Sequence, residues 1–117
     1  MATTYDSNQP PPEHWDDEVA TSLIGKTVLV GLTYCGPDDQ VLHREQFHGF
    51  VRSADRRAGI GLELDGDRIG ERYTLPPMTQ VFQRASLGEY RLSGTGEVVH
   101  DPDFLATYTI YRSETAS

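Results

Sequence analysis

The chain is poor in cysteine and has no long apolar run. Its 117 residues include one cysteine, Cys35, so an internal disulfide is impossible and a disulfide-stapled fold is not expected. No stretch of about 18 consecutive apolar residues is present, as a membrane-spanning helix would require. The leading residues also lack the basic and apolar segments of a secretory signal. These absences predict a cytoplasmic protein without a membrane partner.

Positive charge is also scarce. Lys and Arg total 10 against 18 Asp and Glu, which gives a net charge of -8. Five of the acidic residues fall in residues 1–24, a segment without Lys or Arg. Nucleic-acid binders neutralise phosphates with Lys and Arg clustered on one face. The charge balance therefore disfavours nucleic acid and favours a protein or peptide partner of basic character.

The length and composition are those of one folded domain with loose ends. Residues 1–12 end in three prolines and are predicted to form a flexible proline-rich arm, and residues 113–117 a frayed tail. Between them, residues 13–112 are predicted to form a single domain. It begins with a helix over residues 13–23, because Trp15, Val19 and Leu23 recur every four residues behind an acidic first turn.

After Lys26 the hydrophobic period changes to two, which indicates strands. The first strand faces the core with Val28, Val30 and Leu32, and the second runs over residues 40–54 with a bend at Gly49. Further strands are predicted around Ile60–Leu64, at Arg68–Leu75 after a tight turn at residues 65–67, at Gly88–Ser93 and at Leu105–Arg112, with residues 78–87 as a connector. Five or six short strands with one helix predict a mainly β fold, a small SH3-like antiparallel barrel that hides its strand edges.

The order of these segments resembles a known family. A helix followed by Leu23–Val28, a bent strand containing Gly49, and the segment Asp55–Leu62 resemble the first motif of the Sm-like proteins, small RNA-binding barrels that assemble into rings. The similarity spans about residues 15–75, and Gly59 stands where the family has a base-contacting asparagine. The resemblance implies an SH3-like or Sm-like architecture. It also implies an alternative function, RNA binding, through a patch of four arginines: Arg52, Arg56, Arg57 and Arg68.

Reactive side chains do not converge in the sequence. His43 and Glu45 share one face of a regular strand, whereas His48 points to the other, so these residues are interpreted as surface or cross-strand groups rather than metal ligands. Asp101 and Asp103 are expected to cap backbone groups in a loop. No catalytic residue, metal or cofactor is predicted, and the protein is not expected to be an enzyme.

The function predicted from these observations is a non-enzymatic interaction module that binds another protein or peptide, with self-association left open. Acidic and aromatic side chains are the candidate binding groups, although the tyrosines also suit packing and cross-strand pairing. The candidates are Trp15, Asp16, Asp17, Glu18, Tyr73, Tyr90, Tyr108 and Tyr111.

Overall fold

The computed structural model describes residues 15–111, so the predicted arm (1–12) and tail (113–117) lie outside the described residues. One helix, α1, spans Asp17–Leu23. It begins at residue 17, not at the predicted residue 13, because the Asp16 carboxylate accepts hydrogen bonds from the backbone N–H groups of Glu18 at 2.9 Å and Val19 at 3.1 Å, the contacts of an N-cap. Within residues 15–111, no helix has the length and apolar character needed to cross a membrane.

Strands make up most of the described chain, which confirms the prediction of a mainly β protein with a short helix. Two short 3-10 turns, at Gly66–Arg68 and Thr79–Val81, lie between consecutive strands. The strands are β1 Thr27–Cys35, β2 Val41–Asp55, β3 Gly59–Leu64, β4 Arg72–Leu75, β5 Phe82–Arg84, β6 Glu89–Arg91, β7 Val98–His100 and β8 Phe104–Tyr111.

Six strands form one mixed sheet in the order β4-β3-β2-β1-β8-β5, and β6 pairs with β7 as a separate hairpin. The expectation of a wholly antiparallel, closed barrel is wrong in two respects. β8 inserts beside β1 and runs parallel to it, and no ladder among residues 15–111 joins the edge strands β4 and β5. The chain after β4 reads Pro76–Pro77, which has no N–H groups to extend a ladder, and β5 takes β8 as its partner instead.

The core lies on one face of the sheet. The side chains of Val28, Val30 and Leu32 are almost completely buried, as the two-residue period predicts. Alternate residues of β3, the segment around α1 and parts of β4, β5 and β8 complete this core. On the opposite face, here called the outer face, Leu29 packs with Leu92 and Val99 of the β6–β7 hairpin. The hairpin thus covers part of the outer face.

Three local predictions are corrected. The segment 65–67 is not a tight hairpin turn, because the Asp65 side chain caps a 3-10 turn and β4 starts only at Arg72. β5 lies inside the predicted connector 78–87. The irregularities of β2 fall between Val51 and Ser53 and opposite the end of β1, not at Gly49. Gly49 is instead required for close packing, since a Cβ there would collide with the backbone of β3.

Candidate functional site

A cleft of about 300 Å³ lies on the outer face, between the sheet and the turn that connects β6 to β7. Its floor is Gly31, which sits in register between Gln46 of β2 and Thr107 of β8. The turn residues Ser93, Gly94 and Thr95 form one wall. The remaining lining residues are Leu32, Thr33, Arg44, Glu45 and Leu92.

Two polar contacts hold the hairpin over the sheet. The Gln46 Oε1 atom accepts hydrogen bonds from the Ser93 backbone N at 2.7 Å and from the Ser93 Oγ at 2.8 Å. Farther along β2, the His48 Nε2 atom lies 2.7 Å from the Glu97 Oε2 atom. Together with the apolar contacts of the hairpin, these bonds fix the wall of the cleft through the protein's own side chains, as is usual for a pre-formed binding site.

Two glycines line the cleft at positions where neither a left-handed backbone nor crowding requires a glycine. Of the eleven glycines in the chain, only Gly31 and Gly94 combine a φ outside the left-handed region with open space where a Cβ atom would lie. A glycine inside a strand weakens the strand, and it often marks a place where a ligand approaches the backbone. Both of these glycines keep the same cleft empty of side chains.

The charge of the cleft comes from one guanidinium group. Arg44 and Glu45 are the two charged lining residues, but the Glu45 carboxylate is engaged on the core face by Arg68 Nη1 at 3.2 Å and by the Tyr34 hydroxyl at 3.4 Å. Arg44 forms no ion pair within residues 15–111. The cleft therefore offers a cation that has no ion pair in residues 15–111, together with threonine and serine hydroxyl groups and the amide of Gln46.

β2 also has an uncovered edge beside this cleft. β3 pairs with β2 only from Gly49 onward, so residues 41–46 of β2 have β1 on one side and no strand of residues 15–111 on the other; we call this segment the open edge. The Val51 N–H and C=O bond to residues at the start of β1. The N–H and C=O groups of successive residues in a strand point to opposite sides. The N–H and C=O groups of Arg44 and Gln46, an odd number of residues from Val51, therefore point away from β1. The same two residues line the cleft with their side chains.

The eight residues singled out as candidate binding groups lie on four separate elements. Trp15 and Tyr108 are 8% and 5% exposed and belong to the core, where burial raises the pKa of Tyr108 above its usual range. Tyr73 packs on Phe47 with ring centroids 5.0 Å apart, and Tyr90 is half-buried on the hairpin. Tyr111, at 65%, is the most exposed of the aromatic candidates.

The acidic candidate residues lie at the start of α1 and stabilise it. Asp16 is its N-cap, and Asp17 Oδ1 accepts a hydrogen bond from the Trp15 indole N–H at 2.7 Å. Asp17 and Glu18 lie in the first turn, where negative charge favours a helix. Both remain exposed to solvent.

The four candidate arginines do not form one patch. Arg68 is held by Glu45 and by Glu71 at 2.9 Å, and Arg52 faces Glu63 at 3.3 Å. Arg56 and Arg57 lie in the turn between β2 and β3, about 30 Å along β2 from the Arg68 contact at the usual rise of a strand.

The histidines near the open edge have other partners. His43 stacks on Tyr34 with centroids 5.7 Å apart, while His48 faces Glu97. Among residues 15–111, no group of three or more His, Cys, Asp or Glu side chains is placed to hold a metal ion. The capping interpretation of the last loop is confirmed, because Asp101 accepts a hydrogen bond from the Gly88 N–H at 2.7 Å and Asp103 from the Thr27 N–H at 3.0 Å.

The sequence patterns do not predict the cleft. One signal points to it: Gly31 interrupts an otherwise apolar and β-branched strand without any turn residue nearby. In comparisons with known proteins, the chain matches no family model, no curated protein and no solved structure.

Proposed function

We propose that this protein is a non-enzymatic interaction module that binds an extended segment of a partner protein as an additional strand on the open edge of β2. The carrying observation is that the backbone N–H and C=O groups of Arg44 and Gln46 point outward and have no hydrogen-bond partner among residues 15–111. Unpaired groups of this kind are a template for a further strand. Main-chain hydrogen bonds to these groups would supply the affinity.

A partner protein suits this edge better than a second copy of the chain paired in a register centred on Arg44 or Glu45. Two-fold antiparallel pairing centred on Arg44 would place two guanidinium groups opposite each other, and pairing centred on Glu45 would oppose two carboxylates. Like charges directly opposite each other destabilise a strand pair. A segment from another protein is free of this symmetry, and the net charge of -8 steers basic partners toward the molecule.

For the architecture, we infer a rolled, open relative of the SH3-like and Sm-like barrels. In support, the Tyr108 hydroxyl of β8 donates to the Pro76 carbonyl at the end of β4 at 3.4 Å, so the sheet curls strongly around its core. The 3-10 turn Thr79–Val81 then carries the chain from one edge strand to the other. We place this function in the cytoplasm, where a free cysteine such as Cys35 stays reduced.

The experiment selects short peptides from a random display library against the full chain. Binders are then tested on two variants of one residue, Arg44→Pro and Arg44→Gln. The proline removes the outward N–H group while sparing the ladder to β1, whereas the glutamine retains that group. We expect Arg44→Pro to weaken binding about tenfold, the size of one lost, desolvated hydrogen bond, and Arg44→Gln to retain strand addition.

Amide hydrogen exchange supplies the second readout. In the free protein, the amides of Arg44 and Gln46 should exchange much faster than those of Glu45 and Phe47, and a bound peptide should slow the first pair. Binders that leave these amides unprotected, or that bind Arg44→Pro with full affinity, would refute the proposal. So would a dimer in sedimentation equilibrium that Arg44→Pro dissociates, because the edge would then belong to a second copy.

A further inference from the structure

We infer that the outer-face cleft is a binding site for a small carboxylate, held by the guanidinium group of Arg44. This inference concerns the side chains of the cleft and does not depend on strand addition at the open edge. Its basis is the conjunction of a pre-formed cavity of about 300 Å³, an unpaired cation on its rim and the two glycines that keep it open.

The glycine that keeps the cavity open also weakens the strand that contains it. Gly31 occupies the middle of β1, a position where a β-branched or aromatic residue would strengthen the strand. Its φ is ordinary, and no atom lies within 4 Å of the position that a Cβ would take. Neither backbone geometry nor packing explains the glycine, whereas the approach of a ligand to the floor of the cleft does.

The lining groups select a carboxylate. A guanidinium group offers paired N–H donors that match the two oxygens of a carboxylate. Thr33 lies in register with Arg44, and Thr107 lines the cleft on the other side of Gly31. Gln46 adds the amide Nε2, because its Oε1 already accepts hydrogen bonds from Ser93. These hydroxyl and amide groups would form hydrogen bonds with the polar atoms of the ligand other than its carboxylate.

Other ligand classes fit the cleft less well. A phosphate has three strong acceptor oxygens, and one guanidinium group pairs with only two of them, so the third oxygen meets no second cation among the lining residues. A nucleobase or a sugar ring is usually held by stacking on an aromatic side chain, and none of the cleft's lining residues is aromatic.

The test is an NMR titration of the full-length chain with succinate, with sodium chloride and inorganic phosphate as separate arms. We expect saturable shifts of the Gly31 and Gly94 amide signals with succinate only. Arg44→Gln should weaken succinate binding by about tenfold or more, the effect of losing a charge-assisted hydrogen bond. Arg56→Gln makes the same charge change on a distant turn and should bind as the wild type does.

Gly31→Val provides a second variant, since its side chain would project into the cleft and abolish binding without a backbone clash. The inference is overturned if succinate shifts are no larger than those with chloride, if Arg44→Gln binds as tightly as Arg56→Gln, or if phosphate binds more tightly than succinate.

Both a protein segment and a free small molecule carry such a carboxylate group, and a further titration distinguishes these two kinds of ligand. A terminally blocked peptide with one central glutamate, flanked by glycines, is compared with free succinate. Tighter binding of the peptide assigns the carboxylate to a protein segment, and tighter binding of succinate assigns it to a free small molecule. Arg44→Gln also separates this site from the proposed function, because it removes carboxylate binding and leaves strand addition intact.

Discussion

The imidazole of His48 and the carboxylate of Glu97 meet at 2.7 Å, and this contact ties β2 to the residues that lead into β7. Both side chains are less than one-fifth exposed. Truncating His48 would leave a half-buried carboxylate without its partner. We expect His48→Ala to lower the free energy of unfolding by about 1–2 kcal/mol, measured by urea denaturation, and to speed amide exchange at Leu92 and Val99.

His100 is the matched control for this prediction. Its ring lies 3.6 Å from Glu89 of the same hairpin, but both side chains are about two-thirds exposed, and exposed ion pairs contribute little. His100→Ala should change the stability only marginally. Equal losses in the two variants would show that the His48 contact does not fasten the hairpin.

Gly49 and Gly31 form a second matched pair. A Cβ on Gly49 would collide with the Glu63 carbonyl group and the Leu64 Cα atom, whereas a Cβ on Gly31 meets open space. Gly49→Ala should destabilise the protein by about 1–3 kcal/mol through overpacking. Gly31→Ala should be neutral or stabilise it by up to about 1 kcal/mol. A destabilising Gly31→Ala, in the same urea measurements, would mean that the fold requires this glycine.

Asp103 links the starts of β1 and β8. Its Oδ2 atom accepts hydrogen bonds from the Thr27 N–H at 3.0 Å and the Thr27 hydroxyl at 3.1 Å, and the bond from the Thr27 backbone is the main reason that its pKa is lowered. A lowered folded-state pKa gives stability that is present above the unfolded value and lost as the pH falls through the folded value.

We therefore expect Asp103→Ala to cost about 1 kcal/mol at neutral pH, since solvent screens this exposed group. The difference from wild type should shrink in denaturation curves recorded at progressively more acidic pH. Asp38→Asn, in the exposed turn before β2, is the control and should show no such convergence. A constant difference at all pH values would exclude ionised Asp103 as its source.

Tyr34 should titrate late. A hydrogen bond with Tyr73 is the largest cause that raises the pKa of Tyr34 from its usual 10.0 to about 12, with burial and the nearby Glu45 adding to it. Because the folded-state pKa is the higher one, the stability contributed by the protonated phenol is complete below pH 10 and is lost as the pH rises through about 12.

Tyr73→Phe should lower the pKa of Tyr34, which an absorbance titration of phenolate formation detects. Tyr111→Phe, which changes an exposed tyrosine, is the control and should leave the pKa of Tyr34 unchanged. Burial also raises the pKa of Tyr108, so part of the late absorbance change belongs to Tyr108 in both proteins. If the late absorbance change of the Tyr73→Phe variant equals that of the wild type, the Tyr73 bond is not the cause of the raised Tyr34 pKa.

Local patterns in the sequence predict the features that neighbouring residues control. The two-residue spacing of Val28, Val30 and Leu32 indicates which face of β1 is buried. The four-residue spacing of Val19 and Leu23 indicates α1, although Trp15, which shares that spacing, precedes the helix. These features depend on residues close together in the chain. β5, with three residues, is too short to show a period, so its sequence does not differ from that of a connector.

Pairing partners and sites are harder to predict, because they depend on residues far apart in sequence. Nothing in the alternation of β1 shows that its second neighbour is a parallel strand more than seventy residues later. The cleft combines β1, β2, β8 and the hairpin turn, and none of these segments has an unusual composition. Trp15 and Tyr108 look equally suited to a surface or a core, and only the assembled sheet places them inside.

The position of β8 between β1 and β5 has a consequence for synthesis. On the ribosome, β5 is made about twenty residues before the strand with which it pairs in residues 15–111. The hairpin of β1 and β2 can form early, but the other edge of β1 has no partner until β8 is synthesised. Until then, its unpaired backbone N–H and C=O groups are able to pair with strands of other nascent chains.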